Sequence, residues 1–244
     1  METLGVIPAR YASTRLPAKP LLDINGKPMI QWVWESAKAS SLEKVVVATD
    51  DERIYEVVKK FGQVVMTSDH SSGTDRVAEV VKKFDTEIVL DIQGDEPLLK
   101  PESIDSLIET MIQDREIKIA TLISECKNRE ELTDPNIAKV VIDRSGFALY
   151  FSRAIIPYFK EDNGVYYKHI GVYGFKRDTL FEFTNLPPSK LELAEELEQL
   201  RAIENGYKIK TVLTPHHTFG VDTEEDLERV RKILKQNCDS ESRN

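Results

Sequence analysis

The chain has 244 residues, 41% of them hydrophobic, and its 33 basic against 42 acidic residues leave a net charge of −9. That length accommodates one well-buried α/β domain, and the acidic balance excludes recognition of nucleic acid or an anionic membrane by bulk charge, so an anionic ligand has to be held by local cations. Two cysteines imply no disulfide framework and fit a reducing, cytoplasmic setting; METLGVIPAR has no basic-then-apolar leader and no apolar run approaches the roughly 18 residues of a membrane span, so neither export nor membrane insertion is expected.

The predicted elements begin with a strand at residues 4–9 (LGVIPA) and a helix at 28–40 (PMIQWVWESAKAS). A strand at 44–49, a helix at 51–62, a strand at 63–67, a helix at 74–84, a strand at 87–92 and a helix at 101–114 continue the alternation. Repeated strand–helix units predict a doubly wound α/β fold with a mostly parallel sheet covered on both faces, and in such sheets ligands sit beyond the carboxyl ends of the strands. From about residue 118 the pattern loosens into strand-like pieces, IKIATLIS, IAKVVID and FALYFS, and 11 of the 19 aromatic residues fall at 147–183. We read a single domain over 1–244 with an aromatic-rich inserted lobe at roughly 135–190, serving as a sugar-facing wall, a subunit interface or ordinary core packing. A helix over 192–206, stopped by Asn205-Gly206, a helix over 223–236 and a frayed polar tail at 238–244 complete the pattern.

The loop after the first strand carries Arg10, Arg15 and Lys19 but no glycine, and Pro8, Pro17 and Pro20 stiffen it. Three cations able to converge on one polyphosphate suit a triphosphate where no backbone cradle exists; neither GxxxxGK[ST] nor GxGxxG occurs, which disfavours P-loop and dinucleotide enzymes. The bland reading is a solvated basic loop. In DIQGDEP, Asp95 lies just past the strand on a glycine-relieved turn, placed either to hold Mg²⁺ against phosphate oxygens or to fix the turn itself. Asp91, within that strand, is read as a backup ligand or as a buried partner for a basic residue. Near the C-terminus, Thr223 and Asp226 have capping-box spacing, which leaves Asp222 available as a second metal ligand. Ser72-Gly73-Thr74 opens a helix and offers hydroxyls and N–H groups to the crevice, or simply caps that helix.

IPARYASTRLPAKPLLDINGKPMIQW, SDHSSGTDR, IQGDEPL and GVDTEEDLERV, in this order over nearly the whole chain, resemble the CMP-Kdo synthetases, the 3-deoxy-manno-octulosonate cytidylyltransferases of lipopolysaccharide synthesis. The resemblance implies a nucleotidyltransferase of nucleotide-diphospho-sugar transferase type. In it the anomeric hydroxyl of a keto-acid sugar attacks the α-phosphorus of CTP and pyrophosphate leaves, without a nucleophilic Cys or Ser. By the same resemblance the nucleotide contacts are Pro8, Ala9, Arg10, Ser13, Thr14, Arg15, Lys19, Ser72, Gly73 and Arg76, and the sugar contacts are Gln93, Arg153, His169, Tyr173 and Glu196. It supports Asp95 and Asp222 as the Mg²⁺ ligands, with Arg10, Arg15 and Lys19 absorbing charge on the leaving group, and it implies a cytoplasmic homodimer. His169 alone would read as a structural residue; His216 and His217 lack metal-type spacing and receive no role. CMP-sialate synthetases share the logic but carry a more Gly- and Ser-rich loop where this chain has Tyr11-Ala12-Ser13-Thr14-Arg15-Leu16, which favours Kdo. A nucleotide-sugar glycosyltransferase would also carry an acidic pair after a strand, and a non-catalytic CTP-binding regulator would share the cationic loop.

Overall fold

The computed structural model describes residues 2–12, 16–161 and 164–241, the last five as backbone only. Strand β1 (Thr3–Ala9) is followed by a 3-10 turn at Lys19–Leu21, a small hairpin of β2 (Asp23–Ile24) and β3 (Lys27–Pro28), and helix α1 (Met29–Ala39). Strand β4 (Lys44–Thr49), helix α2 (Glu52–Val58), strand β5 (Gln63–Met66), helix α3 (Gly73–Val81), strand β6 (Ile88–Ile92) and helix α4 (Pro101–Gln113) follow the predicted alternation. Then come β7 (Ile119–Glu125), α5 (Arg129–Thr133), β8 (Lys139–Ile142), β9 (Ala148–Ser152), β10 (Tyr167–Lys176) and α6 (Arg177–Thr184). Helices α7 (Lys190–Glu195) and α8 (Gln199–Glu204), strand β11 (Ile209–Leu213) and helix α9 (Glu224–Glu241) close the chain.

The main sheet has nine strands, with the path β11-β7-β10-β6-β1-β4-β5 and the β8–β9 pair attached to β10. β1 pairs in parallel with β4 and β6, β4 with β5, and β7 with β11. β10 alone runs antiparallel to both its neighbours in that path, β6 and β7. The parallel strands are near-continuous apolar runs because helices cover both faces: β1 is buried at every position. Ile7, Val47 and Leu90 pack with α1 and α4 residues on one face, and Val6, Val46 and Val89 pack with α3 and α6 residues on the other.

Three boundaries differ from the sequence reading. β10 lies inside the segment 135–190 expected as an inserted lobe, yet it is a central strand of the main sheet; only the β8–β9 hairpin and the loop after it stand apart. The expected helix over 192–206 is two short helices, because Glu196 adopts a left-handed backbone (φ 52°) that ends α7. At the C-terminus, α9 remains helical to Glu241, past residue 238 where fraying was expected, and residues 242–244 lie outside the described residues.

The third apolar cluster positions the site. Leu16, Ile24 and Met29 near the N-terminus pack against Val221, Leu227, Val230 and Leu234 of the C-terminal segment. Arg231 donates from Nε and Nη2 to the carbonyl of Asp23 at 2.9 and 2.6 Å, which fixes α9 beside the first loop.

Candidate active site

Lys19 sits where the first loop re-enters regular structure, after Ala18 in the left-handed region (φ 57°), a conformation costly for a residue with a Cβ. The Ala18 N–H donates to the Tyr11 carbonyl at 3.1 Å, so the loop closes on itself and delivers Lys19 to the strand ends. Its Nζ donates to Asp95 Oδ2 at 2.6 Å, Asp222 Oδ1 at 3.1 Å and the carbonyl of Val221 at 2.7 Å. Two carboxylates 127 positions apart in sequence thus meet at one cation, as a shared metal site requires. Burial pulls the Lys19 ammonium down, but the charges and hydrogen bonds of Asp95 and Asp222 outweigh it and hold it above its ordinary range.

Local structure explains why both acids face inward. Asp226 Oδ2 accepts from the N–H groups of Asp222 and Thr223, and the Asp226 N–H donates back to Thr223 Oγ1 at 3.2 Å. The cap is therefore made by Thr223 and Asp226, and the Asp222 carboxylate turns to Lys19. Gly94, just before Asp95, passes so close to β1 that a Cβ there would lie 3.0 Å from the Pro8 carbonyl.

Two cavities lie at these strand ends. The first, about 160 Å³, is lined by Pro8, Ala9, Arg10, Ser72, Gly73, Arg76 and Gln93, with His70 and Ser71. It gathers the described residues expected at the base and ribose; Ser13, Thr14 and Arg15 lie outside the described residues. Ser72 is the N-cap of α3, accepting the Asp75 N–H at 3.1 Å, and it lines the pocket as well. Arg76 is buried, and its guanidinium donates to Asp50 Oδ2 at 2.9 Å and Thr67 Oγ1 at 2.6 Å. It ties together the loops after β4 and β5, bracing the pocket wall.

The second cavity, about 210 Å³, is lined by Asp95, Asp222, Arg153, Lys168, His169 and Gly171 among others. Arg153 is held by carbonyls: Nε donates to Glu195 at 2.7 Å, Nη1 to Pro135 at 2.9 Å and Nη2 to Glu196 at 3.2 Å. These guanidinium hydrogen bonds go to carbonyls, while the Glu195 carboxylate accepts the Arg153 backbone N–H at 2.9 Å and feels the guanidinium charge. Burial drives His169 down to about 3, so the ring is neutral at physiological pH. Thr121 Oγ1 donates to the Val172 carbonyl at 2.8 Å, so its contact with His169 Nε2 at 2.9 Å is the histidine N–H donating.

The other expected residues are placed as follows. Tyr173 does not line this cavity; it stacks on His169 at 5.1 Å and borders a separate apolar void with Phe175 and Phe183. Glu196 reaches the region only through its carbonyl to Arg153, its side chain exposed, because the left-handed turn that ends α7 swings it outward. Gln93 lines the first cavity rather than the second. Asp91 is fully buried, and its hydrogen bonds go to Thr74 and Gln93 rather than to a basic residue or the junction.

Three residues of the site went unrecognised in the sequence. Glu96 is buried, accepting from the Gly171 N–H at 3.2 Å and from Thr218 Oγ1 at 3.0 Å, which clasps β10 to the segment bearing Asp222. Burial and the neighbouring Asp95 push it up to about 7. Glu131 and Lys168 form a buried pair at 2.8 Å, joined by His217 Nε2 at 2.9 Å from the same carboxylate. Burial raises the Glu131 carboxyl, but the Lys168 bond and the Lys127 N–H outweigh it and leave it below the ordinary range.

A mostly parallel sheet with cavities at its strand ends, and two carboxylates from distant parts of the chain converging beside them, is the architecture of a nucleotidyltransferase. The chain belongs to the cytidylyltransferase family, whose model matches residues 4–209. Within it the chain is similar to the 3-deoxy-manno-octulosonate cytidylyltransferases. The protein so named in Fusobacterium nucleatum is 51% identical over 241 residues, covering 97% of this chain and 98% of that protein. That of Geobacter sulfurreducens is 48% identical, covering 96% of this chain and all of its own length (100%). A solved CMP:2-keto-3-deoxy-manno-octonic acid synthetase complexed with CTP superposes with a TM-score of 0.92 at 44% identity, covering 97% of this chain and 100% of that one. A 4-diphosphocytidyl-2C-methyl-D-erythritol synthase from Anaerococcus prevotii, at 14% identity and TM-score 0.64, shares the fold alone, over 96% of each chain.

Proposed function

We propose that this chain transfers CMP from CTP to the anomeric hydroxyl of 3-deoxy-manno-octulosonate, releasing pyrophosphate and activating the sugar for lipopolysaccharide synthesis. The observation that carries the reading is the convergence of Asp95 and Asp222 on Lys19, with the Arg153 cavity lined by both acids and the Pro8–Ser72 cavity formed by the ends of the neighbouring strands: sugar acid in the former, nucleotide in the latter. Attack on the α-phosphorus asks for positioning and charge neutralisation rather than a covalent nucleophile. Arg10 and Lys19 bind the phosphates, with Arg15 completing the cationic set, and Arg153 takes the sugar carboxylate.

Asp95 and Asp222 fit Mg²⁺. Their oxygens already converge on a single cation, the Lys19 ammonium, and hard carboxylate donors completed by phosphate and water suit that ion. When bound, Mg²⁺ would lower the pKa of the attacking hydroxyl and neutralise charge on the α-phosphoryl. Pyrophosphate release measured with each nucleoside triphosphate against 3-deoxy-manno-octulosonate and N-acetylneuraminate tests the assignment. Turnover with CTP and the eight-carbon acid is expected; preference for another triphosphate or for sialate refutes it.

We also read the molecule as a homodimer in the cytoplasm, where CTP is supplied. Leu149, Ile155, Tyr158 and Val165 lie exposed on β9 and the loop after it, and Tyr158 is 88% exposed, which supports a second copy covering this face. A monomer by sedimentation overturns the dimer.

A further inference from the structure

We propose that Asp91 is a neutral carboxylic acid that positions Gln93 in the nucleotide pocket, through a buried chain Gln93–Asp91–Thr74–Glu198 holding one shared proton. Its link to CTP rests on the function proposed above; the location of the proton does not.

Counting protons along the chain requires an extra one. Thr74 Oγ1 lies 3.0 Å from Asp91 Oδ2 and 2.6 Å from Glu198 Oε2. A threonine hydroxyl has one proton, so it can donate to one carboxyl only, and the other has to bring its own. Three observations place that extra proton on Asp91. Asp91 is 0% exposed and its hydrogen-bond partners are neutral, Thr74 and the Gln93 Nε2 at 2.9 Å. Glu198 stands 3.6 Å from the Arg201 guanidinium, a cation that favours its charged form, whereas Asp91 has no such neighbour among its hydrogen-bond partners. The 2.6 Å contact has the length of a hydroxyl donating to a carboxylate, and 3.0 Å is that of a neutral pair.

The other groups facing the chain agree. Tyr173, Asp75 and Arg201 are the ionisable neighbours, and of these Arg201 alone is cationic, on the Glu198 side. Burial, with the Glu198 charge added, pushes Asp91 up to about 7. With the acid proton aimed at Thr74, Asp91 Oδ1 accepts the Gln93 Nε2–H, and this leaves the Gln93 amide oxygen for the pocket. The amide sits against Gly73, whose added Cβ would lie 3.4 Å from Nε2 and 3.5 Å from Oε1. Gln93 is thereby set as an acceptor, and the ligand group it meets has to be a donor.

A reciprocal pair of substitutions tests the proton's place. Asp91→Asn reproduces the neutral acid, its amide donating to Thr74 and its carbonyl accepting from Gln93; Glu198→Gln removes the charge. An acid whose folded pKa is raised stabilises the fold below its unfolded value and loses that contribution as pH rises through the folded value. Asp91→Asn should therefore gain melting temperature relative to the parent between about pH 4 and about pH 7, and gain more than Glu198→Gln, whose carboxyl burial also raises but which gives up its charge beside Arg201. The reverse pattern, with Glu198→Gln tolerated and Asp91→Asn destabilised, overturns the assignment. Should Asp91→Asn fail to fold, carbon-13 carboxyl NMR of the parent protein decides: a midpoint near neutrality supports the neutral acid, and an Asp91 already ionised at about pH 5 refutes it. For positioning, Asp91→Ala should raise KM for CTP while leaving KM for the sugar acid in place, and Asp91→Asn should restore it. A loss confined to kcat refutes positioning. A preference for another nucleotide would unseat the functional reading while leaving the melting and NMR results untouched.

Discussion

Lys19→Met removes the cation from the junction and leaves Asp95 and Asp222 facing each other. At an effective dielectric of about 20, each ammonium–carboxylate contact here, 2.6 and 3.1 Å, is on the order of 5 kcal/mol gross, before desolvation and side-chain ordering are subtracted. Removing one partner of a fully buried pair costs about 3–5 kcal/mol. The two acids keep 30% of their side chains exposed, so screening reduces the expected net loss to about 2–3 kcal/mol. For a chain of this size that is a fall of about 5–10 °C in melting temperature. The ammonium is raised in the fold, so its contribution is complete below its unfolded value and is lost only as pH climbs through the folded one; near neutrality the whole loss is visible. Thermal unfolding at low salt, with and without MgCl₂, is the assay. Magnesium should raise the melting temperature of Lys19→Met more than that of the parent, because in the parent the ion has to displace the ammonium. A melting temperature within about one degree of the parent, together with an equal response to magnesium, would refute the reasoning.

Glu131→Ala leaves Lys168 buried without its partner and should cost about 3–5 kcal/mol in urea unfolding, whereas double replacement by Met at both positions should cost much less. Arg153→Ala should raise KM for the sugar acid by about 10- to 100-fold with KM for CTP little changed, the scale of one charge-assisted hydrogen bond, in steady-state pyrophosphate release. Glu96 is raised in the fold, so it stabilises below its unfolded value near 4.5 and that contribution fades as pH rises to about 7; Glu96→Gln should flatten this decline in melting temperature.

The parallel half of the sheet was legible because each strand–helix unit declares itself locally, through β-branched runs followed by amphipathic periodicity. Asp222 was legible for the same reason: the Thr223–Asp226 cap is a four-residue signal, and it forms as written. Less local features were not. β10 pairs irregularly with β7 between Ile170 and Tyr173, and this bulge lets Gly171 exchange hydrogen bonds with Gln93 and Glu96. Strand alternation gives no warning of such a shift. Glu131 and Lys168 carried no local signal, because their mutual burial depends on residues 37 positions apart. Glu196 looked helical until α7 ended beneath it.

The reversed strand at the middle of the sheet bears on how the molecule is made. β10 is the seam between the ribbon β5-β4-β1-β6 and the pair β7-β11, so before residues 167–176 arrive at the ribosome's exit, β6 and β7 each present an open edge. A nascent chain halted after β9 is a template for unwanted strand addition on both sides. Fragments ending short of residue 176 should accordingly be lost to insoluble material during synthesis, whereas cuts in the exposed loop before β10 should leave two pieces able to reassemble.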